Sequence, residues 1–303
     1  MLGRRNAISP VKSSGDWEVG IMEYYAPSVA LAARALKLLS RQKYKSCSLK
    51  EIAEKLNASP TSCLRALRTL EQEDFVRCDQ ETKKYSLGPY LIPLGNRAAQ
   101  MNDSISRASA EIKRIAAATG LTTALIQRWD GRLIYIAKAG PPAGDSRFTR
   151  LSITVGEPTH QTIGAHGRCF LAYEDEAEWR RRMATGIQAL TPNTITDPER
   201  FIAALREVQR NGYAISHGEF RLGASAVDVP VFDSTGEVNF ALSCMYITLQ
   251  MDDGYLAGVI EILRAASRKL SEWNGYNAAC GDEALAEPAG ASSARGQRSV
   301  VGL

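Results

Sequence analysis

Histidine is scarce in this 303-residue chain, with three copies, and its six cysteines (Cys47, Cys63, Cys78, Cys169, Cys244 and Cys280) stand far apart. Zinc sites and dithiol motifs need closely spaced ligands, and neither a CxxC nor an HxxxH occurs. No metal and no cofactor is therefore expected, and the thiols read as isolated and reduced. No apolar run approaches the ~20 residues that cross a bilayer. The opening MLGRRNAISPVKSSGDWEVG has two early arginines but no apolar stretch behind them, so a secretory signal is not expected. The expected location is cytoplasmic, with no membrane partner. A nucleophile elbow, a glycine-rich phosphate loop and internal repeats are also missing.

What is present is ordinary soluble-protein composition, 45% hydrophobic and 23% charged, over a length that suggests about two domains. The charge is uneven. Residues 1–100 carry 16 Lys and Arg against 10 Asp and Glu, whereas the remainder carries 21 against 23. A basic first third on a near-neutral body fits a nucleic-acid-binding module joined to something else.

Residues 1–25 lack periodicity and read as a flexible arm, and the Ala-, Gly- and Ser-rich stretch 274–303 reads as a disordered tail. Between 26 and 88 three short helices precede a hairpin. Helix one follows Ser28, with Val29, Ala32, Leu36 and Leu39 on one face. Ser48-Leu49-Lys50-Glu51 has the spacing of a capping box, and Asn57-Ala58 makes a turn. Ser59-Pro60 then opens helix three, whose Leu64, Leu67 and Leu70 should be buried. Two alternating segments, Phe75–Cys78 and Lys84–Leu87, flank the polar turn Asp79–Lys83. Residues 89–103 read as a linker helix. From 104 to 273 helices alternate with strands: Leu121–Trp129 and Leu133–Lys138 joined through Asp130-Gly131, then Val227–Phe232 and Val238–Tyr246. A final helix carries Leu256, Val259, Leu263, Leu270 and Trp273. Hairpin-linked strands mixed with helices indicate an α+β domain.

Two short helices about a tight turn, with a helix ahead and a hairpin behind, form a winged helix-turn-helix, its helix-turn-helix at about 48–70. Ser59, Thr61, Ser62, Arg65 and Arg68 occupy the start and polar face of the third helix, where hydroxyl and guanidinium groups meet phosphates and base edges. Lys83 and Lys84 sit in the wing, within reach of the DNA backbone. The plain alternative makes these solvated surface cations. The expected partner is a double-stranded DNA operator.

The ordered set of motifs resembles the IclR family of bacterial regulators over about 26–273. It includes Arg65-Ala66-Leu67-Arg68-Thr69-Leu70, Tyr85-Ser86-Leu87-Gly88, Ala165-His166-Gly167-Arg168, Thr191-Pro192-Asn193-Thr194-Ile195-Thr196-Asp197, Asn211-Gly212-Tyr213-Ala214 and Pro230-Val231-Phe232-Asp233. The resemblance implies a GAF-like antiparallel-sheet effector domain joined by the linker helix to the winged helix-turn-helix. It also implies a homodimer or dimer of dimers, for which Leu91–Ala99 and helix one offer amphipathic contact surfaces. By position, its effector pocket includes Ala165, His166, Gly167, Arg168, Ser216, Ala224, Ala226, Ser243 and Met245. Three departures stand out. Pro158–His166 is longer than the family's usual link, Asp228 replaces a small apolar residue, and Ser216 replaces a carboxylate found in some relatives.

The local chemistry of Ala165–Arg168, which opens a helix, favours a small organic acid as effector: helix N–H groups suit a carboxylate, and His166, Arg168 and Ser243 can add hydrogen bonds. Ala224, Ala226 and Met245 would leave room for a ring. The bland reading puts Arg168 on the surface and Ser243 in strand packing. Two other functions remain open. One is a hydrolase-like, small-molecule-binding enzyme with an accessory DNA-binding or assembly domain, drawing on His166 with Ser225, Asp228 or Cys169; without a supporting motif, no catalytic residue is expected. The other is a DNA-binding protein whose C-terminal domain serves assembly alone.

Overall fold

The computed structural model describes residues 25–277 except 130 and 146. Residues 1–24 of the expected arm, the expected tail from 278 onward and the Asp130 of the hairpin turn lie outside the described residues. The chain divides into two compact units between Arg97 and Ala98.

The first unit runs α1 (Pro27–Leu39), a 3-10 turn (Gln42–Tyr44), β1 (Cys47–Ser48), α2 (Leu49–Leu56), α3 (Pro60–Gln72), β2 (Val76–Cys78) and β3 (Lys84–Leu87). Its antiparallel sheet has the order β1-β3-β2. Each start and stop has a local cause. Ser48 and Glu51 cap α2 reciprocally, with the Ser48 N–H donating to Glu51 at 2.8 Å. Asn57 then turns the chain in the left-handed region at φ 48°, which a short polar side chain tolerates. Ser59 caps α3 and Pro60 occupies its first position.

Two apolar faces differ from the sequence expectation. Helix α1 begins at Pro27 rather than after Ser28, and it buries Leu31, Ala35, Leu38 and Leu39 while Val29 stays exposed. In α3 the buried row is Cys63, Leu67 and Leu70, and Leu64 is exposed. Each helix has more apolar residues than one face holds, so periodicity alone admits two rotations. The pairing of β1 with β3 joins residues almost forty apart in sequence, and no local signal marks it.

Helix α4 (Leu91–Met101) buries none of its residues, and Ile92, Leu94 and Met101 are exposed. Asn102 breaks it and caps α5 (Asp103–Thr119) by accepting the Ile105 N–H, so the expected single linker helix ends at Met101.

The second unit continues with β4 (Thr122–Trp129), β5 (Arg132–Ala139), β6 (Pro158–Thr159), α6 (Gly164–Leu171), α7 (Glu176–Ala184), α8 (Pro198–Asn211), β7 (Ala214–His217), β8 (Ala224–Phe232), β9 (Val238–Ile247) and α9 (Asp253–Trp273). All strands are antiparallel to their neighbours, in the order β6-β5-β4-β9-β8-β7. Strand alternation divides the core. Val227, Val229 and Val231 of β8 pack with Ile112 and Ile115 of α5 and Leu263 and Leu270 of α9. On the other face, Ala226, Ala241 and Met245 meet Phe170, Phe201 and Leu205.

The start of the expected tail is packed down: Tyr276 stacks on Phe232 at 4.9 Å, and Asn274 accepts from Ser104 at 2.7 Å. Trp273, expected on the buried face of the last helix, is half exposed beneath the cations of Arg107 and Lys269. No helix among the described residues is long and apolar enough to cross a membrane.

Candidate functional sites

The first site is the helix-turn-helix surface. Ser59, Thr61, Ser62, Arg65, Arg68, Lys83 and Lys84 are all exposed. Ser59 and Ser62 are tied to each other: the Ser62 N–H donates to Ser59 Oγ at 3.1 Å, and the Ser59 hydroxyl donates back to Ser62 Oγ at 2.8 Å. Arg68 is bridged to Glu71 at 2.8 Å, whereas among the described residues no ion pair holds Arg65. In the wing, Asp79 accepts the N–H groups of Glu81 and Thr82, and these bonds hold its carboxyl below the ordinary range. Lys83 follows at φ 53° and donates to Gln80 at 3.3 Å, while Lys84 opens β3. Arg34 is one basic residue that sequence reasoning missed. It lies on α1 and lines the same groove as Ser59, Ser62 and Arg65, a juxtaposition that only the packing of α1 on α3 creates.

The second site is a cavity of about 120 Å³ in the sheet unit. The small side chains of Ala224 and Ala226 leave this space, and Met245, Leu151 and Ile153 add apolar wall. Polar atoms come from Tyr135, His166 and Ser216, with Arg221 also on the lining. Of the nine residues expected here, Ala165, His166, Ser216, Ala224, Ala226 and Met245 line one cavity. The other three do not line it. Gly167 packs on Gln161, whose carbonyl a Cβ would strike, so glycine is needed for close approach. Ser243 is fully buried in β9, and its hydroxyl has no hydrogen-bond partner among the described residues.

Arg168 is 3% exposed rather than a surface residue. Its guanidinium donates to both oxygens of Glu219 at 2.7 Å and to the Ile215 carbonyl at 2.5 Å. Glu219 also accepts the Gly164 N–H at 3.3 Å, so the chain's own carboxylate takes the first donor of α6. The cap residue Ile163 supplies no side-chain bond, and Gly164 itself has φ 81°, a conformation suited to glycine. Asn193 binds the His217 carbonyl at 3.0 Å, next along the same strand edge.

Tyr135 and Asp228 are partners of His166 that sequence reasoning did not place in the pocket. Asp228 has no exposed surface and accepts from Nδ1 of His166. The other ring nitrogen lies 2.8 Å from the Tyr135 hydroxyl. With Asp228 as acceptor, Nδ1 carries a proton, and in the neutral ring Nε2 accepts from the Tyr135 hydroxyl. Burial, its main cause, pushes the Tyr135 hydroxyl up to about 12. His166, at the end of the 158–166 stretch, and Asp228 thus meet in one hydrogen bond. Burial foremost, and Asp228 next, push the Cys169 thiol well above its usual range, which keeps it un-ionised.

Residues 97–272 match the family model described as bacterial transcriptional regulator IclR C-terminal, and residues 36–77 match winged helix-turn-helix DNA-binding. The chain is 30% identical over 257 residues to the HTH-type transcriptional regulator XynR of Escherichia coli K12, covering 83% of this chain and 100% of the relative. It is 29% identical over 230 residues to the regulator KdgR of the same organism, covering 75% and 85%. Among solved structures, an IclR transcriptional regulator from Alicyclobacillus acidocaldarius superposes with a TM-score of 0.79 at 49% identity, over 83% of this chain and all of that one.

Proposed function

Since the chain belongs to the IclR family of bacterial transcriptional regulators, with a winged helix that binds operator DNA and a sheet domain that binds a metabolite, we propose that its metabolite is a small organic acid with at most one aromatic ring. The observation that carries this reading is the cavity itself. At about 120 Å³ it is close to the volume that holds a single ring in an engineered apolar cavity, and far below the space a drug-sized ligand fills. One wall is apolar, while the backbone N–H groups of α6 after Gly164, whose own N–H is held by Glu219, together with Ser216 and Arg221, offer donors for a carboxylate. The regulator works in the cytoplasm as a homodimer or dimer of dimers, because one recognition helix reads only a few base pairs and two-fold repetition raises affinity and specificity.

Control requires that the acid bind the DNA-competent and incompetent forms unequally. The test is a thermal-shift panel on the full chain, with sodium acetate, butyrate, benzoate and 4-hydroxybenzoate against sodium chloride. At least one acid should raise the melting temperature of the wild type and lose that effect in Ala226→Leu, which fills the cavity. Stabilisation by none of the four acids, or stabilisation that Ala226→Leu leaves unchanged, would overturn the reading.

A further inference from the structure

The sensor cavity has a buried carboxylate close behind its wall, which is an unfavourable neighbour for an acid. Asp228 is 0% exposed; its Oδ2 accepts from His166 and its Oδ1 has no hydrogen-bond partner among the described residues. Ser243, its register partner across β8 and β9, is likewise buried with an unpartnered hydroxyl. Two carboxylates in a low-dielectric interior repel strongly unless a positive charge stands between them. His166 occupies that position, joined to Asp228 through Nδ1 and to Tyr135 through Nε2, and both His166 and Tyr135 line the cavity.

We propose that Asp228, His166 and Tyr135 form a proton relay ending in the cavity, and that a carboxylate ligand binds there together with one proton. This rests on the sensor reading above and adds its charge balance. Without ligand, the Tyr135 hydroxyl donates to Nε2 and turns lone pairs toward the cavity, a poor surface for an anion. Solvent supplies a proton to Nε2. The new N–H then donates to the Tyr135 oxygen, and the Tyr135 O–H is released to donate to a ligand carboxylate oxygen. No heavy-atom bond forms or breaks, and one positive charge enters with one negative charge.

The surrounding groups leave this role to the imidazole. Tyr135 keeps its proton, since burial pushes it up to about 12, with Thr159 acting against the shift and Asp228 and Glu157 adding to it. Cys169, on the same helix, is held as a thiol. Arg168 and Glu219 neutralise each other, and Arg221 lies on the cavity lining. Histidine alone among these side chains ordinarily changes charge near neutral pH.

The experiment is isothermal titration calorimetry of the full chain near pH 8 in two buffers of different ionisation enthalpy, with sodium benzoate and its uncharged isostere benzamide as probes. Benzoate is expected to take up about one proton per site and to weaken about tenfold per pH unit as pH rises, while benzamide takes up none. Asp228→Asn should abolish the uptake. Because that variant can misfold, ¹⁵N-histidine NMR of the wild type provides a second readout, with three histidines to assign. Nε2 of His166 should be unprotonated without ligand and protonated in the benzoate complex. Benzoate binding with no proton uptake, or with His166 unchanged, overturns the relay and leaves the sensor reading intact. If no acid, from acetate to benzoate, binds the folded protein, the sensor reading fails and the relay falls with it.

Discussion

Arg168 of α6 and Glu219, beyond the end of β7, form a bidentate ion pair, both nitrogen–oxygen distances being 2.7 Å, with both side chains almost wholly buried. The pair joins residues 51 apart in sequence and fixes the start of α6, since Glu219 also takes the Gly164 N–H. Its strength lies less in net attraction than in the cost of breaking it: a lone buried ion has neither solvent nor a counter-charge.

Glu219→Ala should therefore destabilise the sheet domain by about 3–5 kcal/mol, the usual range for orphaning a buried charge. Replacing both partners, as Arg168→Met with Glu219→Leu, should recover much of that loss. Urea unfolding followed by tryptophan fluorescence measures both. A Glu219→Ala protein as stable as the wild type would show that the pair is dispensable.

On the DNA-binding surface, Arg65 and Arg68 should behave differently despite sharing a helix. Arg65→Ala should cost about 1–3 kcal/mol of operator affinity if it reads a guanine. Arg68→Ala should cost less, because Glu71 already engages its guanidinium. Gel-shift titration at fixed salt, with circular dichroism to verify the fold, separates the two; equal losses would contradict the assignment.

The contrast between these residues and Arg168 shows what the sequence reveals. Caps and turns are local, so Ser48 with Glu51, Asn57 and Ser59-Pro60 were legible, and with them the helix-turn-helix. Strand alternation made β4, β5, β8 and β9 visible. What escaped depends on distant partners. Arg168 looks like a surface cation until Glu219 is found beside it, and nothing local marks Tyr135, 31 residues from His166, as the partner of the imidazole. Two-residue strands such as β1 and β6 have no periodicity to detect. Val29 and Leu64 misled because apolar residues also occur on exposed helix faces.

The wing should contribute phosphate contacts rather than base reading. Neutralising Lys83 and Lys84 together should flatten the slope of log affinity against log salt by about two, since each phosphate contact releases about 0.9 counterion. Preference among operator sequences should change little. A double variant with the wild-type salt slope would mean that the wing stays off the DNA.

Self-association should depend on the exposed apolar residues of α4. Ile92→Glu with Leu94→Glu puts two charges on a helix that buries nothing within its own chain, so folding of the single chain should be little affected. If α4 is the contact between copies, light scattering at micromolar concentration should find the variant monomeric and gel shifts should find its operator binding weakened. A variant that keeps the wild-type mass would move the contact elsewhere.

A β-sheet is in principle an open-ended object, since each outermost strand has unpaired amide and carbonyl groups that can template another strand. Both ends are obstructed here. On β7 the carbonyls of Ile215 and His217 are occupied by Arg168 and Asn193, and at the far end β6 is two residues long and contains Pro158, which has no N–H to offer. Both outermost strands are therefore poor templates at these positions. At these positions the sheet withholds the free groups through which β-rich proteins fuse edge to edge into a continuous ribbon, a route by which many of them become insoluble.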